Sequence, residues 1–163
     1  MAGADTDTVD NHIKPILCRM GKRIIACGGP GSGAAVKLCN NLALAAQMVG
    51  IAECMNLGDA LGVDACVLAD VLNTSTAKSW SCEVNNPHPD VAKRTGSPAS
   101  NDYHGGFGTK LMLKDLGLAI QAGKDVDVAL PIGTATKELY HLAHLRGLGD
   151  KDFGVILQFL RGR

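Results

Sequence analysis

Lys37 and Asn41 stand four residues apart in a run with helical patterning, so both project from one face of that helix. Lys37 is flanked by Ala34, Ala35, Val36 and Leu38. An ammonium held among apolar groups loses solvation and its pKa falls toward neutrality, which suits a general acid/base that exchanges a proton with a substrate oxygen. The same spacing also fits a lysine in the first turn of a helix that reaches into water. Lys110 and Lys114 form a second i, i+4 pair, suited either to a phosphate or ribose or to an exposed basic stripe. His141 and His144 have the i, i+3 spacing of metal ligands but lack a third ligand at a fitting position, so surface histidines and no metal are expected. The sequence contains no Ser-His-Asp set and no G-x-S-x-G elbow.

The run Gly29-Pro30-Gly31-Ser32-Gly33-Ala34 follows an expected strand and opens a helix, with Glu53 about 20 residues on. This is the outline of a dinucleotide fingerprint. The fingerprint also needs a second parallel strand ending near the acidic residue, however, and Glu53 sits inside a helical pattern. A glycine hinge between a strand and a buried helix is the expectation. No Gly-Lys-Ser/Thr follows, so the run is not a Walker loop.

These residues need a frame to hold them. The chain has 163 residues, 46% of them hydrophobic but only six aromatic, a composition of aliphatic side chains that suits packed helices in one compact domain. Sixteen basic residues cancel sixteen acidic ones, which leaves no positive field to gather a nucleic acid. Cys18, Cys27, Cys39, Cys54, Cys66 and Cys82 include no CxxC pair and read as reduced, buried thiols of a cytosolic or organelle-matrix protein. Residues 38–57 are interrupted by Asn40, Asn41, Gln47, Glu53 and Asn56, so a core helix is expected there and no membrane span. Residues 1–10 carry neither a basic nor an apolar signal region and read as a tail.

The spacing of Ile13, Ile16, Leu17 and Met20 predicts a helix over residues 9–20, stopped by Gly21, with a strand over residues 22–27. Residues 34–57 predict one long helix buried on most sides, the post of the domain. Asp64 is placed to cap a helix over residues 65–72, and residues 79–84 form a further turn. Residues 85–108, rich in Pro, Gly, Asn and Ser, read as a long loop ordered by Tyr103 and Phe107. Helices are then expected over residues 109–122 with Gly123 closing, over 131–146 with Gly147 just past the end, and over 151–160 with Asp150 as cap.

The run from Gly31 through Lys37 to Asn41 resembles the GxGxxxKxxxN signature of the β-hydroxyacid dehydrogenase family. Ala52-Glu53-Cys54-Met55-Asn56-Leu57-Gly58 is similar to its AEAMNLG stretch, and Gly105-Gly106-Phe107 with Leu111 to Ala119 is similar to its GGF and LMxKDLGLA block. Ser79-Trp80-Ser81, Asn86-Pro87-His88-Pro89 and Asn101-Asp102-Tyr103 resemble one branch, whose members oxidise a methyl-branched hydroxyacid of valine breakdown with NAD. The resemblance implies an all-α, multi-helix bundle around a long central helix. Residues 1–30 are then a tail and a remnant (one helix, one strand) of a preceding NAD-binding domain, and residues 31–163 a helical substrate and dimerisation domain. It implies Lys37 as the catalytic acid/base, Asn41 holding substrate and lysine in register, Lys114 reaching NAD, and Trp80 and Phe107 in the wall of the substrate pocket. Implied too are a small hydroxyacid substrate, a homodimer or higher homo-oligomer, and a mitochondrial matrix location in a eukaryote or a cytoplasmic one in a bacterium. Alone, the chain is expected to be inactive. Lys78, Ser79 and a longer stretch over residues 93–96 depart from the pattern and bear on substrate preference. The alternatives are a stand-alone, non-catalytic helical oligomerisation module, or a reductase of a related small semialdehyde such as tartronate or succinic semialdehyde.

Overall fold

Asp5 starts the first helix by accepting a hydrogen bond from the Thr8 amide at 2.8 Å. The computed structural model describes residues 1–162 and divides into two compact units, Met1–Asn41 and Leu42–Arg163. In the first, α1 (Thr6–Thr8) passes through a π-helical stretch, Val9–Ile13, into α2 (Lys14–Leu17). The π register ends two residues before Pro15, whose missing N–H and bulky ring do not fit an ordinary helical turn. The helix therefore begins and ends about one turn earlier than the expected 9–20, and the Gly21 amide closes on the Leu17 carbonyl at 3.0 Å.

Residues 22–27 do not form the expected strand. They make one parallel bridge, Ala2 with Ala26, through Ala2 N–H to Ile25 O and Cys27 N–H to Ala2 O, both 2.8 Å. No ladder propagates, because the partner segment gives way to a helix at Thr6. The same bridge anchors the segment expected to be a tail.

The longest element, α3 (Ser32–Ala60), extends the expected helix at both ends. Beyond residue 41 its buried residues are Ala45, Met48, Val49, Ile51, Ala52, Met55 and Gly58, while Gln47, Gly50, Glu53 and Leu57 face outward. One face is thus buried rather than most sides. The most apolar 18-residue window of the helix has a mean hydropathy of 1.3, so by length and composition it could cross a membrane despite its polar interruptions; its inward face instead packs in the protein core.

Asp64 caps α4 (Ala65–Thr74) as expected, accepting from the Val67 amide at 2.9 Å, and Ser79 caps α5 (Trp80–Glu83). The expected loop over residues 85–108 is largely structured, with α6 (Pro89–Thr95) and a 3-10 turn, Pro98–Asn101. α7 (Thr109–Asp125) runs past Gly123, because the reversal is made by the Val128 amide reaching back to the Gly123 carbonyl at 2.8 Å. α8 (Pro131–Ala143) continues as a π turn, His144–Leu148, in which Gly147 takes a φ of 83°. A 3-10 turn, Phe153–Val155, then leads into α9 (Ile156–Leu160). The 3-10 turn is capped by Asp152, not Asp150, which pairs with Lys110 instead.

The main core joins Ala45, Met48, Val49 and Ala52 of α3 to Met112 and Leu116 of α7, Tyr140 and Ala143 of α8, and Phe153, Ile156 and Leu157. A second cluster gathers Ile51, Met55, Ala65, Ala69, Cys82 and Val91. Among the described residues there is no sheet, and the fold is all-α as the patterning expects. The cysteines are free, but of the six only Cys82 is buried, and Cys18 and Cys39 are exposed.

His88 ties three segments together. Its Nε2 lies 3.1 Å from Asp59 Oδ2 at the end of α3, Asp59 also pairs with Arg161, and His88 Nδ1 accepts the Asp90 amide at 3.2 Å. Burial pushes the imidazole below its ordinary value of 6.5, against the pull of the Asp90 and Asp64 charges and with a smaller push from Lys93. The Asp59 carboxylate favours the cation, whereas a proton on Nδ1 breaks the bond to the Asp90 amide, so the neutral ring is the native form. The unfolded chain then takes up a proton below pH 6.5 that the folded chain resists. Stability is expected to hold above pH 6.5 and to fall as the pH drops below it. An NMR titration of His88 should give a midpoint below 6.5; a midpoint above it reverses the prediction.

Candidate active site

Ser32 and Gly33 open α3, and Lys37 and Asn41 follow within its first three turns. Lys37 is exposed, which matches the reading of a lysine that reaches from the start of the helix into water. Asn41, one turn on, is 9% exposed and accepts from Asn40 Nδ2 at 3.2 Å through its Oδ1. The two side chains share a helix face, a flexible ammonium beside a nearly buried amide. Such a pair suits proton transfer at an oxygen that the amide also contacts.

Within the second unit, Trp80 and Phe107 line one cavity of about 420 Å³. Trp80 is the first residue of α5, and Phe107 ends the Gly105-Gly106-Phe107 turn that leads into α7. Val84, Pro98 and Phe153 add apolar wall, while Asn85, Ser97 and Asp152 supply polar groups. The Phe107 ring meets that of Phe153 edge-on, with centroids 6.0 Å apart. A mostly apolar cavity with a few placed polar groups is the usual form of a small-molecule site.

Asp152 is the residue the sequence reading missed. Its carboxylate is buried and accepts from the Phe107 amide at 2.8 Å, the Gly154 amide at 2.9 Å and Asn85 Nδ2 at 3.2 Å. Burial raises its pKa above the ordinary carboxylate value, against the partial pull of the Gly154, Phe107 and Asn85 N–H donors. Its one local signal is an acidic residue just ahead of the apolar run from Phe153, which marks a cap but says nothing of Phe107 or Asn85.

Lys114 lies on α7, outside the lining of the Trp80 and Phe107 cavity. Its Nζ is 3.0 Å from the buried Asp115 carboxylate, and its side chain is well exposed. Lys110 is taken up by Asp150, so the expected basic stripe has two separately paired lysines. His141 and His144 are both exposed, and among the described residues no group of three potential metal ligands forms.

The family model described as NAD-binding of NADP-dependent 3-hydroxyisobutyrate dehydrogenase matches residues 31–160. The chain belongs to the 3-hydroxyisobutyrate dehydrogenase family. It is 45% identical over 150 residues to a probable mitochondrial 3-hydroxyisobutyrate dehydrogenase of Dictyostelium discoideum, covering 92% of this chain and 46% of that protein. It is 44% identical over 146 residues to the mitochondrial 3-hydroxyisobutyrate dehydrogenase of Homo sapiens, covering 90% and 43%. A solved 3-hydroxyisobutyrate dehydrogenase of Mycobacterium tuberculosis with L-serine superposes with a TM-score of 0.88 at 38% identity, over 98% of this chain and 53% of that one. The chain thus spans about half the length of the relatives it matches.

Membership implies a nicotinamide cofactor, and Lys114 is compatible with one in its chemistry. It is an exposed ammonium steadied by a buried carboxylate, and it suits a phosphate or a ribose hydroxyl.

Proposed function

We propose that this chain is the acid/base and substrate half of an NAD-dependent 3-hydroxyisobutyrate dehydrogenase, which oxidises 3-hydroxyisobutyrate to methylmalonate semialdehyde in valine degradation. The observation that carries the reading is the Lys37 and Asn41 pair on one face of α3, inside the stretch that the family model matches. Asn41 holds the substrate hydroxyl, and Lys37 Nζ takes its proton during oxidation and returns one to the aldehyde oxygen during reduction. The cofactor, when bound, accepts the hydride, and Lys114 contacts it. Trp80 and Phe107 enclose the substrate carbon chain. Exposed Leu61, Val67 and Val71 suit pairing with a second copy as a homodimer or higher oligomer. The names of the eukaryotic relatives support a mitochondrial matrix location in a eukaryote; the cytoplasm is the proposed location in a bacterium.

A nicotinamide dinucleotide needs its pyrophosphate at a helix N-terminus that follows a strand of a parallel sheet. Among the described residues no sheet forms, so the 163-residue chain by itself is expected to show no turnover with NAD and 3-hydroxyisobutyrate. The test is that assay on the purified chain, beside the intact mass and activity of the protein as its source makes it. Turnover by the chain alone overturns the division of labour; a source protein of the relatives' full length with no activity on the hydroxyacid overturns the function.

A further inference from the structure

The cavity has two walls from distant parts of the second unit, and one carboxylate joins them. On one side, Asp152 Oδ2 accepts the Phe107 amide at 2.8 Å, and the Phe107 carbonyl in turn accepts the Phe153 amide at 2.8 Å, so Phe107 is gripped through both of its backbone groups. On the other, Asp152 Oδ1 accepts Asn85 Nδ2 at 3.2 Å, and the Asn85 amide donates to the Trp80 carbonyl at 3.2 Å at the end of α5. The Gly154 amide, at 2.9 Å, completes a set made only of donors. An anion suits three N–H groups, whereas an asparagine there turns its own NH2 against one of them. Asp152 is 1% exposed, so it acts through its partners rather than on a ligand.

We propose that Asp152 is the positioning residue of this cavity: its carboxylate ties the Phe107 wall to the Trp80 wall and sets the width open to the carbon chain of the hydroxyacid. The proposal rests on reading the cavity as the substrate pocket. Width selects among hydroxyacids by the bulk of their side chain, so Asp152 tunes which acid is accepted and leaves the proton transfer at Lys37 alone.

The test uses Asp152→Asn, with Asn85→Ala as a gentler cut of the same tie on the Trp80 side. In the intact enzyme that carries this chain, each variant should raise KM for 3-hydroxyisobutyrate about tenfold and change kcat less than about threefold, a split that a general loss of folded protein does not produce. Trp80 is the chain's one tryptophan, so acrylamide quenching of its fluorescence reports the wall directly in the purified chain. Quenching should rise in both variants. The double exchange Asp152→Asn with Asn85→Asp restores one donor and acceptor pair across the tie and should reverse most of the rise in KM. Folded variants with unchanged KM and unchanged quenching overturn the proposal. Should quenching change while Trp80→Ala and Phe107→Ala leave KM untouched, the tie stands and the substrate-pocket reading falls.

Discussion

Replacing Lys37 with alanine is expected to lower kcat of the intact enzyme roughly 10²–10⁴-fold, the usual contribution of a positioned acid/base, with a much smaller change in KM. Oxidation of an alcohol needs its proton removed as the hydride departs; Lys37 takes that proton as the neutral amine, becomes the ammonium, and in the reverse direction gives the proton back to the aldehyde oxygen. Lys37→Arg should not rescue, because a guanidinium keeps its proton at every working pH. The loss has to be chemical rather than structural: Lys37 is exposed on α3, so the variant should stay within about 0.5 kcal/mol of the parent in denaturant unfolding. Asn41→Ala is expected to act mainly on KM, as a residue that orients substrate. A Lys37→Ala enzyme that keeps more than about a tenth of parental kcat would remove the lysine from the mechanism.

The largest stability effect is expected at Gly106. Its φ is 65°, and a Cβ there would overlap Asp152 Oδ2 and come within 2.7 Å of Pro98 Cγ. Neither neighbour can yield: the carboxylate is held by three N–H donors, and the Pro98 ring opens a 3-10 turn. Gly106→Ala should destabilise the fold by about 2–4 kcal/mol, combining the left-handed backbone with the overlap. Gly105→Ala is the internal control. Its φ is 84°, yet nothing lies within 4 Å of the added carbon, so it should carry only the backbone part, about 1–2 kcal/mol. Equal shifts in thermal midpoint for the two variants would mean that the Asp152 contact is not a constraint.

What was legible in the sequence were features whose causes are local. Asp64 and Ser79 cap helices because the donors they satisfy lie three residues away, and the continuity of α3 follows from a long run without proline. The spacing of Lys37 and Asn41 marked the candidate site for the same reason. Residues 85–108 were opaque because their order comes from afar: Asn85 and Phe107 both bond Asp152, and the Tyr103 hydroxyl donates to the Pro87 carbonyl at 2.8 Å while accepting from Gln158. No periodicity within a segment records partners 16 to 67 positions away. The strand over residues 22–27 failed for the converse reason, since its composition was suitable but it found only the Ala2 segment to pair with. For Lys37 the spacing left two readings open, a desolvated lysine and one reaching into water, and the exposed side chain matches the second.

The main core also has a direction in time. Ala45, Met48, Val49 and Ala52 meet Phe153, Ile156 and Leu157 only after about a hundred more residues have been added, which at about 5–20 residues per second is on the order of 5–20 s of translation. Throughout that interval the apolar face of the 29-residue helix is only partly covered, by the earlier residues of α4 to α8. The ribosome therefore releases this face well before the segment that completes its shielding, and expression yield should follow elongation speed and chaperone supply as well as the stability of the finished fold.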